Sequence, residues 1–424
     1  MGRLRVSGIR EVKGVVRVPG DKSVSHRALI LSSLAEGVST ISGLSGGEDV
    51  AATRRALVRM GADITVDGAL VRVEGGVREP DDVLDCGNAG TGIRLLAGMC
   101  AGIDGVSVLT GDRYLRRRPM DRIAVPLRRM GAHVDGRENG RVAPLVVRGG
   151  GLRGITYASP VASAQVKSSL LLAGLSAQGS TTVIEPHPTR RHTEEMLTAF
   201  GVRVEVREER VTVHPGPLTA TDVAVPGDPS QAAFWVVAGL LGGEVEVPGL
   251  YLGHGRAGFL DVLSRMGADL DVDPATGTVR ARASRLRGAD LEASHVPGVV
   301  DEIPILAVAA AAAEGSTIIS GAAELRVKES DRIASTVAML RAFGVAAEER
   351  PDGMVIHGRP AFTPAEVDSR GDHRIAMAAA VAAIARAEGD TAIAGWEAVA
   401  TSYPGFAEDL VGVAGAGACA PADG

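Results

Sequence analysis

Apolar and polar positions along the 424-residue chain recur in two phrases. The first is an apolar helical run, then Gly with a small polar residue, then a short alternating strand: "LAEGVSTISG", "IDGVSVLTG", "AQGSTTVIE", "LGGEVEVPG", "AEGSTIISG" and "AEGDTAIAG". Its glycines are Gly37, Gly105, Gly179, Gly243, Gly315 and Gly389. The second phrase closes a helix onto a strand: "RMGADI", "RMGAHV", "AFGVRV", "RMGADL" and "AFGVAA", with Gly61, Gly131, Gly201, Gly267 and Gly344 separated by 70, 70, 66 and 77 residues. A 3.6-residue apolar period that stops at Gly and resumes as alternation marks a helix end turning into a strand. The spacing predicts six units, each holding a helix, a strand, a second helix and a hairpin-like pair.

The second phrase occurs only five times, because the chain reaches "LVGVAGAGACAPADG" before a sixth hairpin. The N-terminal "LRVSGI" has the form of the strands "LVRVEGG", "PLVVRGG" and "RVTVHPG", so residues 1–14 are expected to supply the missing strand. Three units then make one domain, residues 15–225, and the other three, completed by the N-terminal strand, make the second, residues 1–14 plus 226–424. The chain would cross between them near Val15–Asp21 and near Val225–Pro229. A six-unit solenoid would need polar capping repeats, which the sequence does not show.

Composition narrows the function classes. The balance of 45 basic against 51 acidic residues, a net charge of −6, argues against a nucleic-acid coat or a membrane-surface protein, so any cationic site must be local. Aromatic residues are 3% of the chain, too few for base-stacking surfaces. Cys86, Cys100 and Cys419 have neither metal-ligand spacing nor a pairing pattern, which suits reduced thiols in the cytoplasm. The N-terminal stretch lacks the apolar core of a signal peptide, and "IPILAVAAAAA" is too short to span a bilayer. The expectation is a cytoplasmic protein with small-molecule partners, no nucleic acid and no membrane.

Polar residues concentrate where the helices begin. The starts read "GDKSVSHR", "CGNAGTGIR", "ASAQVKSS", "GDPSQAAF", "VVDEIPIL" and "RGDHRIAM", with "LRRRPMDR", "TRRHTEEM" and "RVKESDRIA" before three of the second helices. Capping explains part of this: Ser23 can cap its helix, Ser330 can cap with Asp331 in the first turn, and Pro304 suits a first turn. It does not explain Lys22, Arg27, Arg118, Arg190, Lys328, Arg332 and Arg374. A cation at the positive end of a helix is unfavourable by a few tenths to about 1 kcal/mol. A shared polyanionic ligand removes that conflict.

Taken in order from Asp21 to Met377, the motifs "DKSVSHRALIL", "CGNAGTGIRLL", "GDRYLRRRPM", "SAQVKSSLLLAGL", "VPGDPSQAAF", "VVDEIPIL", "VKESDRI" and "GDHRIAM" resemble those of the 5-enolpyruvylshikimate-3-phosphate synthases. The resemblance implies an α/β protein with the enolpyruvyl transferase fold: a two-domain inside-out α/β barrel of six βαβαββ repeats, three per domain. It implies phosphoenolpyruvate and shikimate 3-phosphate as substrates, free phosphate as by-product, no cofactor and no metal, and a monomer. The two substrates together carry roughly −5 to −6 at neutral pH, which the cations at the helix starts would offset.

Carried over by motif, the phosphoenolpyruvate residues are Lys22, Asn88, Gly90, Arg118, Gln165, Arg332 and Arg374. Those for shikimate 3-phosphate are Lys22, Ser23, Arg27, Ser163, Ala164, Gln165, Arg190, Asp301 and Lys328. The chemistry implied is addition of the 5-hydroxyl to C2 of phosphoenolpyruvate while C3 gains a proton, then loss of phosphate as C3 gives a proton back. Asp301 and Glu329 are the candidate acid/base carboxylates, with Lys22 stabilising or protonating the bridging oxygen, and the sequence leaves open which carboxylate serves which proton. Where some relatives carry a substrate-contacting Lys near the last helix, this chain has Thr401 and Ser402. Ala164 stands where many have a second Ser. Gly90, lacking a Cβ, is expected to leave room beside the phosphate site, so that Gly90→Ala would crowd the inhibitor glyphosate more than the smaller substrate.

Three rivals are distinguishable. A UDP-N-acetylglucosamine enolpyruvyl transferase would carry a loop cysteine near "GDRYLRRRPM", and none is there. A paralogue acting on another hydroxylated acid would differ in the acceptor contacts, and a non-catalytic scaffold would tolerate loss of Asp301 and Glu329. With the candidate residues divided between two domains, like-charged clusters are expected to hold the free halves apart and a bound polyanion to draw them together.

Overall fold

The structure, a computed structural model, describes residues 2–8 and 11–422. Gly20–Pro226 forms one compact unit, and the described residues before and after it form the other. The division falls between Pro19 and Gly20, where the sequence reading had put it at Val15. The reason is pairing and burial: Val12–Val15 runs parallel to Gly243–Val247, and Val16 and Val18 lie in the same core as that strand.

Each unit is built from three sheets around three inner helices. In Gly20–Pro226 the helices are Lys22–Leu34, Gly90–Ala101 and Ala164–Gly174; in the other unit they are Pro229–Gly242, Ile303–Ala311 and His373–Arg386. Beyond their first turns these helices are buried almost all round, as a helix without a polar face must be. The second helices of the units, such as Asp121–Met130 and Gly258–Arg265, bury one stripe and expose the other. Strands alternate buried and exposed residues, as in Leu70–Glu74, so each sheet gives one face to the core and one to water.

Five of the six sheets share one plan: a short parallel strand, a central strand, and two antiparallel partners; in the sixth, Gly353–His357 pairs antiparallel with Ser316–Ile319 and Ala346–Arg350, and an isolated parallel bridge, Leu291 to Ile319, stands where the parallel strand would be. Thr156–Ala158 beside Thr181–Ile184, Arg210–Val213 and Val204–Arg207 is one instance. The repeated turn into each hairpin has a backbone cause. Gly61, Gly131, Gly201, Gly267 and Gly344 all take positive φ, from 75° to 109°, where a side chain would be strained.

The N-terminal segment does more than supply one strand. Arg3–Ser7 pairs antiparallel with Asp390–Ala394 and with Cys419–Pro421, completing the last sheet. Val12–Val15 then serves as the parallel strand of a different sheet, beside Gly243–Val247. In Gly20–Pro226 the equivalent closure comes from Val223–Ala224, which runs parallel to Val38–Ser42.

Phe406, at the start of the Phe406–Ala414 helix, packs against Phe234, Trp235, Trp396 and Tyr403, and Trp235 donates to the Tyr403 hydroxyl at 3.1 Å. Truncating such a buried ring costs ~3–5 kcal/mol. That packing fixes the Trp396–Thr401 turn, whose Thr401 hydroxyl lies 3.3 Å from His373 Nδ1. Among the described residues, no helix is long and apolar enough to cross a membrane.

Candidate active site

In Gly20–Pro226 the inner helices begin with the residues singled out from the sequence. Asp21, not Ser23, caps the first: its carboxylate accepts from Val24 N at 2.9 Å, and Asp21 is fully buried. Asp is the stronger acceptor and its charge suits the helix N-terminus. Lys22 Nζ is held by Asp49 at 2.9 Å. Arg27 is buried one turn inside, where it donates to Thr193 Oγ1 and Ser168 Oγ, each at 2.6 Å, and to the Ser23 carbonyl at 2.8 Å. His26 beside it is no cation. Burial, then Lys22 and Arg27, lower its pKa to about 3, and its Nδ1 bonds Thr53 Oγ1.

The second inner helix starts under Arg118. A Cβ placed on Gly90 would stand 2.1 Å from Arg118 Nη1 and 2.4 Å from Cζ, so the bare glycine makes room for this guanidinium. Asn88 donates to Asp112 at 2.9 Å, which ties the loop before the helix to the loop that carries Arg118. Gln165, on the third inner helix, is locked at both ends of its amide: Oε1 accepts from Arg94 at 2.7 Å and Nε2 donates to Thr91 at 3.0 Å. Arg94, buried, also bonds the Gly90 and Pro119 carbonyls. Arg94 lies in the motif "CGNAGTGIRLL" but is not among the residues expected from the sequence to bind substrate. Its position one helical turn after Gly90 was the available signal.

Ser163 caps the third inner helix through a long 3.4 Å bond to Val166 N, and Ala164 follows as its first residue. Arg190 is half-buried on the segment between Thr189 and the His192–Ala199 helix. Deeper in, Lys167 Nζ lies 2.9 Å from Glu185 and 2.7 Å from Glu194.

The other unit gathers its charged residues around Arg332, which is 1% exposed. Its Nη1 reaches Asp301 at 3.3 Å, Nη2 reaches Glu329 at 2.6 Å, and Nε reaches Asp372 at 2.8 Å. Burial alone would favour the neutral guanidine, but Asp372, Glu329 and Asp301 raise its pKa above the ordinary value. Asp372 caps the His373–Arg386 helix, and although burial pushes its pKa up, the charge and hydrogen bonds of Arg332 together with His373 leave it below the usual carboxylate range. Lys328 approaches Asp301 at 3.4 Å, and Arg374 donates to the Asp301 carbonyl at 2.9 Å.

Three sequence expectations change here. Arg332 is not a bare anion-binding cation; it holds three carboxylates, and the expected like-charged cluster is in this unit a balanced one. Asp331, rather than Ser330, caps the Arg332–Ala342 helix, accepting from Ala334 N at 3.1 Å, while Ser330 donates to Asp372. Asp372, read in "GDHR" only as part of a motif, joins Arg332 to the start of the helix that carries Arg374. Ser402 is buried, whereas the neighbouring Thr401 contacts His373. Pro304 sits in the first turn of Ile303–Ala311, as its fixed φ suits. A second buried network, Asp228–Arg256–Ser230–Glu302, was also missed: Arg256 bonds Asp228 at 2.6 Å and Ser230 at 2.9 Å, and Ser230 donates to Glu302. It fastens the residue next to Asp301.

The family model of EPSP synthase (3-phosphoshikimate 1-carboxyvinyltransferase) matches residues 6–410. The chain belongs to that family. It is 46% identical over 427 residues to the 3-phosphoshikimate 1-carboxyvinyltransferase of Citrifermentans bemidjiense, covering 97% of this chain and 99% of that one. It is 49% identical over 411 residues to the enzyme of the same name from Geobacter sulfurreducens, covering 94% and 96%. Among solved structures, an EPSP synthase from Acinetobacter baumannii superposes over both whole chains with a TM-score of 0.87 at 40% identity. The enolpyruvyl transferase NikO from Streptomyces tendae, at 20% identity and a TM-score of 0.83, shares the fold. The inside-out arrangement of helices within sheets is thus the enolpyruvyl transferase fold expected from the motifs.

Proposed function

We infer that this EPSP synthase family member transfers the enolpyruvyl group of phosphoenolpyruvate to the 5-hydroxyl of shikimate 3-phosphate and releases phosphate. Membership over nearly the whole chain supports the reaction. The observation that carries the chemistry is the Arg332 cluster, which brings Asp301 and Glu329 to a single guanidinium at the start of a helix. Addition–elimination needs a group that takes the hydroxyl proton and groups that deliver and remove a proton at C3, and two carboxylates held at fixed points provide them. Asp301 and Glu329 fill those roles. Lys22, kept in place by Asp49, stabilises charge on the bridging phosphate oxygen as it leaves.

Arg118 and Arg374, with Asn88 and Gln165 as neighbours, bind phosphoenolpyruvate, and Arg332 contributes while it orders the carboxylates. Ser23, Arg27, Ser163, Gln165, Arg190 and Lys328 bind shikimate 3-phosphate, with Ala164 lining that region. Arg suits both substrates because its planar fork matches an oxyanion with two parallel bonds. The protein works as a monomer in the cytoplasm. A coupled phosphate-release assay tests the reaction. Phosphate should appear only when both substrates are present, with enolpyruvylshikimate phosphate as co-product. Release with UDP-N-acetylglucosamine in place of shikimate 3-phosphate, or with no acceptor, would overturn the reading.

A further inference from the structure

Lys167 is an unusual residue to find where it is. Its side chain is 1% exposed, and both of its carboxylate partners, Glu185 and Glu194, are 3% exposed, so none of the three meets a ligand directly. Two carboxylates against one ammonium leave the group with a net negative charge when all three are ionised. Stability alone does not call for such a cluster, since apolar side chains of like volume commonly serve as well or better.

What the cluster touches explains it better. Lys167 lies on the Ala164–Gly174 helix, and the residue after it, Ser168, has its hydroxyl 2.6 Å from Arg27 Nη2 and 2.6 Å from Thr193 Oγ1. Thr193 accepts from Arg27 Nε at 2.6 Å, and the residue after Thr193 is Glu194. Glu185 accepts from the Thr189 hydroxyl at 2.5 Å and is approached by Thr189 N at 3.5 Å, and the residue after Thr189 is Arg190. One ammonium therefore ties the Ala164–Gly174 helix to the loop before Arg190 and to the first turn of His192–Ala199. Those three elements carry Ser163, Gln165 and Arg190, and they clamp Arg27.

We propose that Lys167 is a positioning residue for the shikimate 3-phosphate contacts of Gly20–Pro226, a role that rests on the reaction inferred above. It sets the spacing between the Ser163 end of one helix and the Arg190 segment, with Glu185 and Glu194 as the two anchors of that tie. Removing the ammonium leaves Glu185 and Glu194 facing each other without it, and the segments that bear Thr193 and Arg190 part from the helix that bears Ser168.

The test is steady-state kinetics with calorimetric titration of shikimate 3-phosphate on purified full-length Lys167→Met, Lys167→Arg and Glu194→Gln. For Lys167→Met the expected result is a rise of at least about 10-fold in KM and Kd for shikimate 3-phosphate, the equivalent of one charged contact. The KM for phosphoenolpyruvate should stay within about 3-fold. Lys167→Arg, which keeps a cation between the two carboxylates, should recover most of the loss, and Glu194→Gln should weaken the same substrate selectively. If Lys167→Met does not fold, the other two variants decide the matter. A folded Lys167→Met or Glu194→Gln that binds shikimate 3-phosphate like the wild type or weakens both substrates equally, or a folded Lys167→Arg that recovers nothing, overturns the role of Lys167. Wild-type protein that releases no phosphate from the two substrates overturns the reading of the reaction instead.

Discussion

Replacing Gly90 by Ala puts one carbon where the Arg118 guanidinium lies. The Cβ would stand 2.1 Å from Nη1, 2.4 Å from Cζ and 2.8 Å from Nη2. To reach an ordinary contact near ~3.5 Å the guanidinium must retreat by about 1.4 Å. Since these atoms are the far end of a flexible side chain, the protein yields there and the helix stays intact. Ala is in fact the better helix former, by up to about 1 kcal/mol, so stability should hold or rise slightly.

The cost falls on whatever Arg118 binds. A hydrogen bond to a charged group contributes ~1.5–3 kcal/mol, and 1.4 kcal/mol is a factor of ten, so KM for phosphoenolpyruvate should rise about 10- to 100-fold. KM for shikimate 3-phosphate should change by less than about 3-fold. Steady-state kinetics in both substrates, beside a thermal melt, reads all three quantities. Arg118→Lys and the double variant close a cycle: once Arg118 is gone the added methyl has little left to displace, so the two losses should not add. Full additivity, or a folded Gly90→Ala with unchanged KM for phosphoenolpyruvate, would refute the reasoning. The same geometry revises the expectation for glyphosate. The methyl presses on a residue proposed to hold the substrate itself, so any gain in tolerance comes with poorer substrate binding.

Three further outcomes follow from single side chains. Asp301→Asn and Glu329→Gln keep size but remove proton transfer, so turnover should fall by roughly 10²-fold or more; each also takes a charge from the buried Arg332, so the melting temperature should drop while the protein still folds, and near-normal turnover in either would remove that residue from the chemistry. Arg27→Lys keeps the charge but loses a fork that now bonds Thr193, Ser168 and the Ser23 carbonyl, so shikimate 3-phosphate should bind at least ~10-fold more weakly with phosphoenolpyruvate little affected, a split that calorimetry resolves. His26 has its pKa lowered from 6.5 to about 3 by burial, then by Lys22 and Arg27. The unfolded chain therefore binds this proton first as pH falls, and stability present above pH 6.5 is lost progressively toward pH 3, by about 2 kcal/mol at pH 5. In His26→Gln, urea unfolding at pH 7 and pH 5 should show that much less acid sensitivity, and an unchanged difference would exclude His26 as its source.

Elements with a strong local period were legible in the sequence, and so were their ends. The five glycines of the second phrase mark backbone that only Gly adopts without strain, so spacing alone located the turns. Pairing between distant segments was less legible. "LRVSGI" has the form of a strand, but nothing local says that Val12–Val15 leaves that strand and joins Gly243–Val247, because the choice is made by the hydrogen-bonding edge of a different sheet. In the site, polar residues at helix starts stand out against Ala- and Leu-rich bodies. Which carboxylate answers which cation does not, since Arg332 and Asp372 are 40 residues apart in the chain and are joined only by packing. Capping was misassigned at Ser23 and at Ser330 for a related reason. Ser and Asp are both good caps, and the choice between adjacent candidates depends on where the chain enters the helix.

The balanced charge around Arg332 changes how this cluster should be understood. Its cations, Lys328, Arg332 and Arg374, were expected to stand ready for an anion as one like-charged cluster. They are instead engaged by Asp301, Glu329 and Asp372, two of them through carboxylates and Arg374 through the Asp301 carbonyl. An anion that takes a bond from Arg332 or Lys328 competes with the carboxylates for that cation's charge. Asp372 is the least available to give way, being fully buried and fastened by Ser330 and by the backbone N–H of Arg374 as well. Asp301 is held by longer contacts, 3.3 and 3.4 Å, and is more exposed. The rigid carboxylate thus keeps the guanidinium oriented while the loosely held one responds to the ligand. For the addition–elimination proposed above, which needs a proton moved in and out within one turnover, that division would let substrate binding loosen Asp301, a proposed acid/base group, while Arg332 keeps its place.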